Sequence, residues 1–316
     1  ARILPMTVAD RPSASRISPE ALMKIRHLEW RARSVVEGFW TGLHRSPYHG
    51  FSAEFTEYRA YTPGDDLRHV DWRVFGRSDR HVIRKFEEET NLRCLLLVDL
   101  SRSMAYGSGG HSKADYAATL AATLARFLHQ QGDAVGLLSF DQRVREYLPP
   151  RHRNSHLRQI MLALEKSAGG TATDLVSPLR RIGELVRQRG RISDFLAPLD
   201  ALAGVLGPLV AAGQEITLFQ VLDPREVDFD FKAASQFEDV ETGRTLYVDP
   251  TTARQGYLER FQAHAEALRT LARDLGIALH TTRTDQPLET LLLDVLRDRA
   301  RSQRGPRHRP NPGPGR

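Results

Sequence analysis

Leu92-Arg93-Cys94-Leu95-Leu96-Leu97-Val98 is followed at once by Asp99-Leu100-Ser101-Arg102-Ser103, and this change from apolar to polar residues decides the fold. A short apolar run that ends at turn-forming residues is typical of a buried strand. Buried strands of this kind belong to parallel sheets with helices on both faces. The stretch therefore predicts a core strand whose carboxyl end carries a carboxylate and two hydroxyl groups.

Strand patterns and amphipathic helix patterns alternate along the rest of the chain. The predicted strands are Leu92–Asp99, Ala134–Phe140, Ile216–Asp223 and Gly276–Thr281, and the predicted helices lie near 113–131, 154–166, 176–189, 199–212, 254–275 and 287–300. This alternation favours an α/β fold, a Rossmann-like, mainly parallel sheet between helices. Val144–Tyr147 predicts an antiparallel edge strand, and Val227–Phe231 with Arg244–Val248 predicts a hairpin insert.

Composition narrows the class of protein. The chain has 316 residues, 41% of them hydrophobic and 27% charged, which is ordinary for a globular protein. The net charge of +6 equals that of segment 297–316 alone, so the remaining chain is neutral and lacks the basic surface of a nucleic-acid-binding domain. The chain contains no run of ~20 apolar residues, so no membrane-spanning helix is predicted. The single cysteine, Cys94, excludes a disulfide framework and favours a reducing, cytoplasmic location.

Changes in composition predict four regions. They are a flexible arm at 1–19, a small N-terminal helix/strand module at 20–91, the α/β domain at 92–300 and a disordered basic tail at 301–316. Within the module, a helix is predicted from about Pro19 to Gly38, and Asp65, Asp66, Asp71 and Trp72 are expected to hold the module to the α/β domain.

Oxygen-bearing side chains follow the predicted strands at three places. Asp99, Ser101 and Ser103 follow the first strand, Gly169-Gly170-Thr171-Ala172-Thr173 precedes a helix, and Ser193-Asp194 follows that helix. Loops at the carboxyl ends of parallel strands meet at one edge of the sheet, where ligands bind. Carboxylate and hydroxyl oxygens suit hard divalent cations.

The order Asp-x-Ser-x-Ser, Gly-Gly-Thr and Ser-Asp resembles the metal-ion-dependent adhesion site of von Willebrand factor type A domains. The preceding block from Glu54 to Trp72, with its Pro63-Gly64-Asp65-Asp66 sequence, resembles the signature of the DUF58 family. Members of that family are bacterial proteins with a type A-like domain, often encoded beside MoxR-type AAA+ ATPases. Asp223-Pro224-Arg225-Glu226 and 239–243 fit the same pattern.

The resemblance implies a site and a partner. Its metal ligands would be Asp99, Ser101, Ser103, Thr171 and Asp194, with Thr173 as the alternative to Thr171, and the ion would be Mg²⁺ or Mn²⁺. In type A domains a partner protein's carboxylate fills the open coordination position. The resemblance therefore implies a non-enzymatic interaction protein, an adaptor for a MoxR-type ATPase in protein assembly or metalloenzyme maturation.

Other interpretations stay open. Only Gly190-Arg191-Ile192-Ser193 precede Asp194, so the strand before it is very short or partly lost. A divalent-metal hydrolase could use Asp99, Asp194 and the Asp65/Asp66 pair, and a third possibility is a scaffold whose metal site has degenerated. Segment 107–113 lacks the spacing of a phosphate-binding loop and is predicted to be a flexible entry to the following helix.

Overall fold

The structure of the protein, a computed structural model, describes residues 17–44, 57–60, 82–85, 92–141, 143–166, 191–193, 199–231, 235–238 and 245–303. The predicted helix at 176–189, Thr171, Thr173, Asp194 and the Asp65–Trp72 block lie outside these residues.

Six strands form the central sheet. They are β3 (Arg93–Asp99), β4 (Ala134–Phe140), β5 (Val144–Arg151), β6 (Arg191–Ser193), β7 (Thr217–Leu222) and β10 (Ala278–Arg283). Their order is β5-β4-β3-β6-β7-β10; β5 is antiparallel to β4, and the other neighbours are parallel. This is the doubly wound order, in which the chain builds outward from β3 in one direction and then from β6 in the other. The predicted α/β, type A-like fold and its antiparallel edge strand are confirmed.

Helices cover both faces of this sheet. They are α1 (Pro19–Met23), α2 (Leu28–His44), α3 (Lys113–Gln130), α4 (Asn154–Leu164), α5 (Leu199–Ala211), α6 (Pro224–Asp228), α7 (Pro250–Asp274) and α8 (Leu288–Gln303). Successive residues of β3 face opposite sides, as the pleat requires. Leu96 and Val98 pack with the α2, α3, α4 and α8 layer, whereas Leu95 and Leu97 pack with α5 and α7.

The N-terminal region contains two helices where the sequence predicted one. The guanidinium of Arg31 donates hydrogen bonds to the carbonyls of Met23 (3.2 Å) and Ile25, and so caps the end of α1. The second helix, α2, buries Val35 and Phe39 in the same core as α3. Farther along, β1 (Glu57–Ala60) pairs with β2 (Val82–Lys85) in an antiparallel hairpin.

The insert after β7 differs from the prediction, which placed a strand at Val227–Phe231. Asp223 caps the helix α6, since its side chain accepts a hydrogen bond from the backbone N–H of Arg225 and Glu226 completes a capping box. The hairpin lies later in the chain, where β8 (Ser235–Glu238) pairs with β9 (Thr245–Val248). The helix signal therefore overrides the apparent strand pattern.

In the part of the chain that the structure describes, no helix has the length and apolar composition that a membrane crossing requires.

Candidate metal centre

Asp99 stands at the carboxyl end of β3 and is completely buried. Its Oδ1 accepts a hydrogen bond of 2.8 Å from the backbone N–H of Ser101. The backbone N–H of Leu100 donates to the carbonyl of Phe140 at the end of β4, which fixes the direction in which the chain leaves the sheet. These contacts turn the chain directly over the carboxylate.

The two serines lie on the turn that follows. Ser101 is buried and begins a short 3₁₀ helix, Arg102–Ala105, whose first turn closes when the N–H of Met104 donates to the carbonyl of Ser101. The hydroxyl oxygens of Ser101 and Ser103 lie 3.1 Å apart. Adjacent ligands of an octahedral Mg²⁺ with ~2.1 Å bonds are separated by a similar distance, about 3 Å. The turn thus presents two hydroxyl groups that could share one cation.

The strand β6 ends at the same edge of the sheet as β3. It has three residues and pairs in parallel with both neighbours, Val98 matching Ile192 on one side and Ser193 matching Gln220 on the other. Ser193 is therefore level with Asp99, and Asp194 is the next residue of the chain. The strand before Asp194 is present and very short, which was one of the two alternatives that the sequence left open.

The described donor set fits a hard cation. It contains one carboxylate and two hydroxyl groups at the switch point between β3 and β6, where doubly wound sheets bind ligands. Asp99, Ser101 and Ser103 are brought together as predicted; Thr171 and Asp194 remain predictions. Among the described residues, no three His, Cys, Asp or Glu side chains form a group that could hold a metal ion.

The glycine-rich segment 107–113 after this turn is held in place by hydrogen bonds, whereas the sequence predicted a flexible segment. Ser108 donates to the carboxylate of Asp223 from its backbone N–H (2.8 Å) and from its hydroxyl (2.6 Å). His111 Nε2 lies 3.1 Å from the carbonyl oxygen of Thr284 after β10. A Cβ atom on Gly107 would lie 2.0 Å from the carbonyl oxygen of His111, so the fold of this loop needs glycine there.

A fully buried lysine closes the loop. Lys113, the first residue of α3, places its Nζ 2.7 Å from Glu226 Oε1. The other oxygen of Glu226 accepts a hydrogen bond of 2.9 Å from the backbone N–H of Asp223. Burial, together with the charges of Asp223 and Glu226, raises the pKa of Tyr106. This cluster was not predicted from the sequence, although the Asp-Pro-x-Glu capping pattern at 223–226 marks its acidic side.

Known proteins resemble the chain in sequence and in fold. A family model described as protein of unknown function DUF58 matches residues 57–268. Uncharacterized proteins of Mycobacterium tuberculosis and Mycobacterium bovis are 30% identical to it over 297 residues, which cover 91% of this chain and 91% of each relative.

Solved structures resemble it more distantly. A conserved hypothetical protein, BatB, from Bacteroides thetaiotaomicron has a TM-score of 0.43 at 12% identity, and the match covers 66% of this chain and 99% of that chain. The VWA domain of SpRpn10 has a TM-score of 0.38 at 10% identity, covering 64% of this chain and 94% of that chain. The family match begins at β1 and ends within α7, and so includes both α6 and the turn Asp99–Ser103, here named the metal turn after its predicted ligand.

Proposed function

The chain belongs to the DUF58 family, and from this premise we propose that it is a non-enzymatic protein-interaction module whose contact with its partner depends on a divalent cation. A type A-like fold is associated with protein interaction. The observation that carries the proposal is the meeting of Asp99, Ser101 and Ser103 at the switch point of the sheet.

The cation would be Mg²⁺ or Mn²⁺. Asp99, Ser101 and Ser103 would hold it, together with Thr171 and Asp194 if the resemblance to type A domains extends to those positions. A bound cation with an open coordination position attracts a carboxylate oxygen of a partner protein. The contribution of the chain is a hydrogen-bonded turn in which Asp99 and Ser101 are buried, so few groups need to be ordered when the cation and the partner bind.

The charge of the donor set favours recognition over hydrolysis. Two-metal hydrolases hold their ions ~4 Å apart between several carboxylates. The described turn supplies one carboxylate, and its other donors are neutral hydroxyl groups. A cation bound mainly by neutral oxygens keeps most of its positive charge available for a partner's carboxylate.

For the partner, we propose a MoxR-type AAA+ ATPase, with the chain acting as its adaptor in protein assembly or metalloenzyme maturation in the cytoplasm. Support for this step comes from the family resemblance of the sequence. The partner would have to offer an exposed Asp or Glu side chain to the metal turn.

The first experiment measures Mn²⁺ binding to the purified protein by electron paramagnetic resonance. Asp99→Ala should abolish binding because it removes the anionic ligand of the turn. The matched control is Asp141→Asn, which removes the charge of another buried aspartate after the neighbouring strand β4; there Arg145 Nε donates to the carboxylate over 2.7 Å. This control should bind Mn²⁺ as the wild type does, at a temperature where both variants are folded.

The second experiment tests the partner. The MoxR-type ATPase of the genome that encodes this chain should be captured by the wild type in Mg²⁺, released by EDTA and not captured by Asp99→Ala. Wild-type protein that binds no Mn²⁺, alone or with acetate as a carboxylate mimic, would indicate a degenerate scaffold. Mn²⁺-dependent hydrolysis of a phosphoester that is lost in Asp99→Ala would favour the hydrolase instead.

A further inference from the structure

A second charged cluster lies at the same edge of the sheet as the metal turn. Its members are Lys113, Asp223 and Glu226, and both Lys113 and Asp223 are completely buried. Asp223 follows β7 and Lys113 begins α3, so the cluster joins two elements that are far apart in the sequence. We call these three residues the buried clamp.

Several contacts of the clamp hold one segment, the loop Tyr106–Ser112. Asp223 accepts both hydrogen bonds of Ser108, and Lys113, at the end of the loop, is held by Glu226. The loop closes on itself because the N–H of Lys113 donates to the carbonyl of Tyr106 over 2.8 Å. The clamp therefore fixes the middle and the end of this loop against β7 and α6.

The beginning of the loop is bonded to the metal turn. The N–H of Tyr106 donates to the carbonyl of Ser103, and the hydroxyl of Ser103 lies 3.1 Å from that of Ser101. A short chain of backbone and side-chain hydrogen bonds thus runs from the clamp through Tyr106 to Ser103. If the loop shifts, the hydrogen bond from the N–H of Tyr106 to the carbonyl of Ser103 breaks. The turn that carries the Ser103 hydroxyl is then no longer held in place.

We infer that Lys113, Asp223 and Glu226 are positioning residues for the cation site, which they hold in its binding geometry without touching the ion. The inference rests on the proposed function, because it assumes that the turn binds a divalent cation. A purely structural role explains the charges less well, since apolar residues of similar size often stabilise a fold as much as a buried ion pair does. The ammonium group of Lys113 also opposes binding of a cation within the clamp itself.

The test compares Mn²⁺ affinity, measured by electron paramagnetic resonance, with melting temperature in four variants. Lys113→Met removes the buried charge, and Glu226→Gln keeps the size and the capping oxygen of Glu226 while removing its charge. Lys166→Met is the matched control, because it breaks a more exposed lysine–glutamate pair, the one with Glu146 of the edge strand β5. Asp99→Ala reports on the metal ligand itself.

We expect Lys113→Met and Glu226→Gln to weaken Mn²⁺ binding by about tenfold or more, as outer residues of metal sites do when they are mutated. Hydrogen exchange at the N–H groups of Tyr106 and Ser108 should become faster in both variants. Lys166→Met should match the wild type in affinity and in exchange. All comparisons are made at a temperature at which every variant is folded; Glu226→Gln carries the test if Lys113→Met fails to fold.

The outcomes separate this inference from the proposed function. Folded clamp variants that bind Mn²⁺ as tightly as the wild type, while Asp99→Ala does not, would overturn this inference alone. A second Mn²⁺ bound by Lys113→Met would also overturn it, because the clamp would then be a masked cation site. Wild-type protein that binds no Mn²⁺ would overturn both.

Discussion

At the scale of single residues, three buried aspartates show that the groups around a carboxylate determine its role. Asp99 ends β3, and Asp141 and Asp223 directly follow β4 and β7 at the same edge of the sheet. Burial opposes the ionisation of Asp141, but hydrogen bonds from Arg145 and Arg143 outweigh it and lower the pKa of the carboxyl group. Asp223 is engaged by Ser108 and Arg225. At Asp99, the backbone N–H of Ser101 donates to the carboxylate, and the same turn carries the hydroxyl groups of Ser101 and Ser103, which suit a cation.

Two glycines should respond in opposite directions to replacement by alanine. A Cβ atom on Gly136 of β4 would lie 2.6 Å from the carbonyl oxygen of Leu148, so Gly136→Ala has to push the edge strand β5 away. Gly204 lies inside α5 with nothing within 4 Å of such an atom. In urea unfolding, Gly136→Ala should be clearly less stable than the wild type, and Gly204→Ala should gain about 0.5–1 kcal/mol. Equal effects would contradict the packing described at Gly136.

His280 should make the stability depend on pH. Burial lowers the pKa of His280, although Asp298, whose Oδ2 lies 3.8 Å from Nε2, and Asp294 raise it. The folded protein therefore binds this proton less readily than the unfolded chain. Stability should be fully present above about pH 6.5 and should fall as the pH drops from there toward the folded pKa.

The measurement is the melting temperature between pH 7.5 and 5.5. His280→Phe can keep the stacking contact with Phe219 (ring centroids 5.4 Å apart) and cannot titrate, so its melting temperature should vary less with pH. The control is His27→Phe at an exposed position, which should keep the wild-type pH dependence. An unchanged slope in His280→Phe would exclude His280 as the source.

Among the secondary-structure elements, those with long apolar patterns could be predicted and those defined by tertiary contacts could not. β3 and β4 lie within a residue of their predicted bounds because each buries most of its side chains. β6 contains one apolar residue, Ile192, and is a strand because β3 and β7 pair with it on both sides. The two hydroxyl groups of the metal turn could be predicted from their spacing. Lys113 could not, since its partner Glu226 is more than a hundred residues away in the sequence.

The β8–β9 hairpin should be a separately mobile element held by one aromatic cluster. A two-stranded hairpin is marginally stable alone. Phe237 of β8 packs against Phe229 and Phe231 at centroid distances of 6.0 and 4.9 Å, and Phe229 packs on Tyr257 of α7 at 4.5 Å. Phe237→Ala should therefore release the hairpin and accelerate proteolysis there, with a small change in the melting of the sheet.

The control for the hairpin is Tyr247→Ala, because the Tyr247 side chain on β9 is 74% exposed. It should leave the rate of proteolysis close to that of the wild type. If both variants are cleaved at the same rate as the wild type, the aromatic cluster does not hold the hairpin.

In the whole molecule, α2 belongs to the same core as the sheet. Phe39 and Trp40 pack on Phe127 of α3 at centroid distances of 6.0 and 5.8 Å. Phe39→Ala should cost about 3–5 kcal/mol, as truncation of a buried phenylalanine does. Fluorescence and circular dichroism should report one shared unfolding transition in urea. Two separate transitions would show that α2 and the sheet unfold independently.

The C-terminal end of the chain offers a further test of the whole molecule. α8 continues to Gln303 and so includes the first three residues, 301–303, of the predicted basic tail. Residues 304–316 contain no strongly apolar side chain that could offset the entropy of ordering, ~1–2 kcal/mol per residue. Deleting 304–316 should leave the melting temperature and Mn²⁺ binding unchanged. A large loss of either would show that the tail docks on the rest of the protein.

The very short strand β6 makes the sheet mechanically weak where β6 pairs with β3. Along the described residues, β3 is paired with β4 over its full length but with β6 at Leu97 and Val98 alone. The backbone hydrogen bonds between two strands share an applied force. The short β3–β6 pairing should therefore break at a lower force than the longer β3–β4 pairing. If the proposed ligands Asp99 and Asp194 hold one cation jointly, the ion links the two strands and strengthens this pairing. Metal occupancy would then be readable in a single-molecule pulling experiment as a higher force for splitting the sheet.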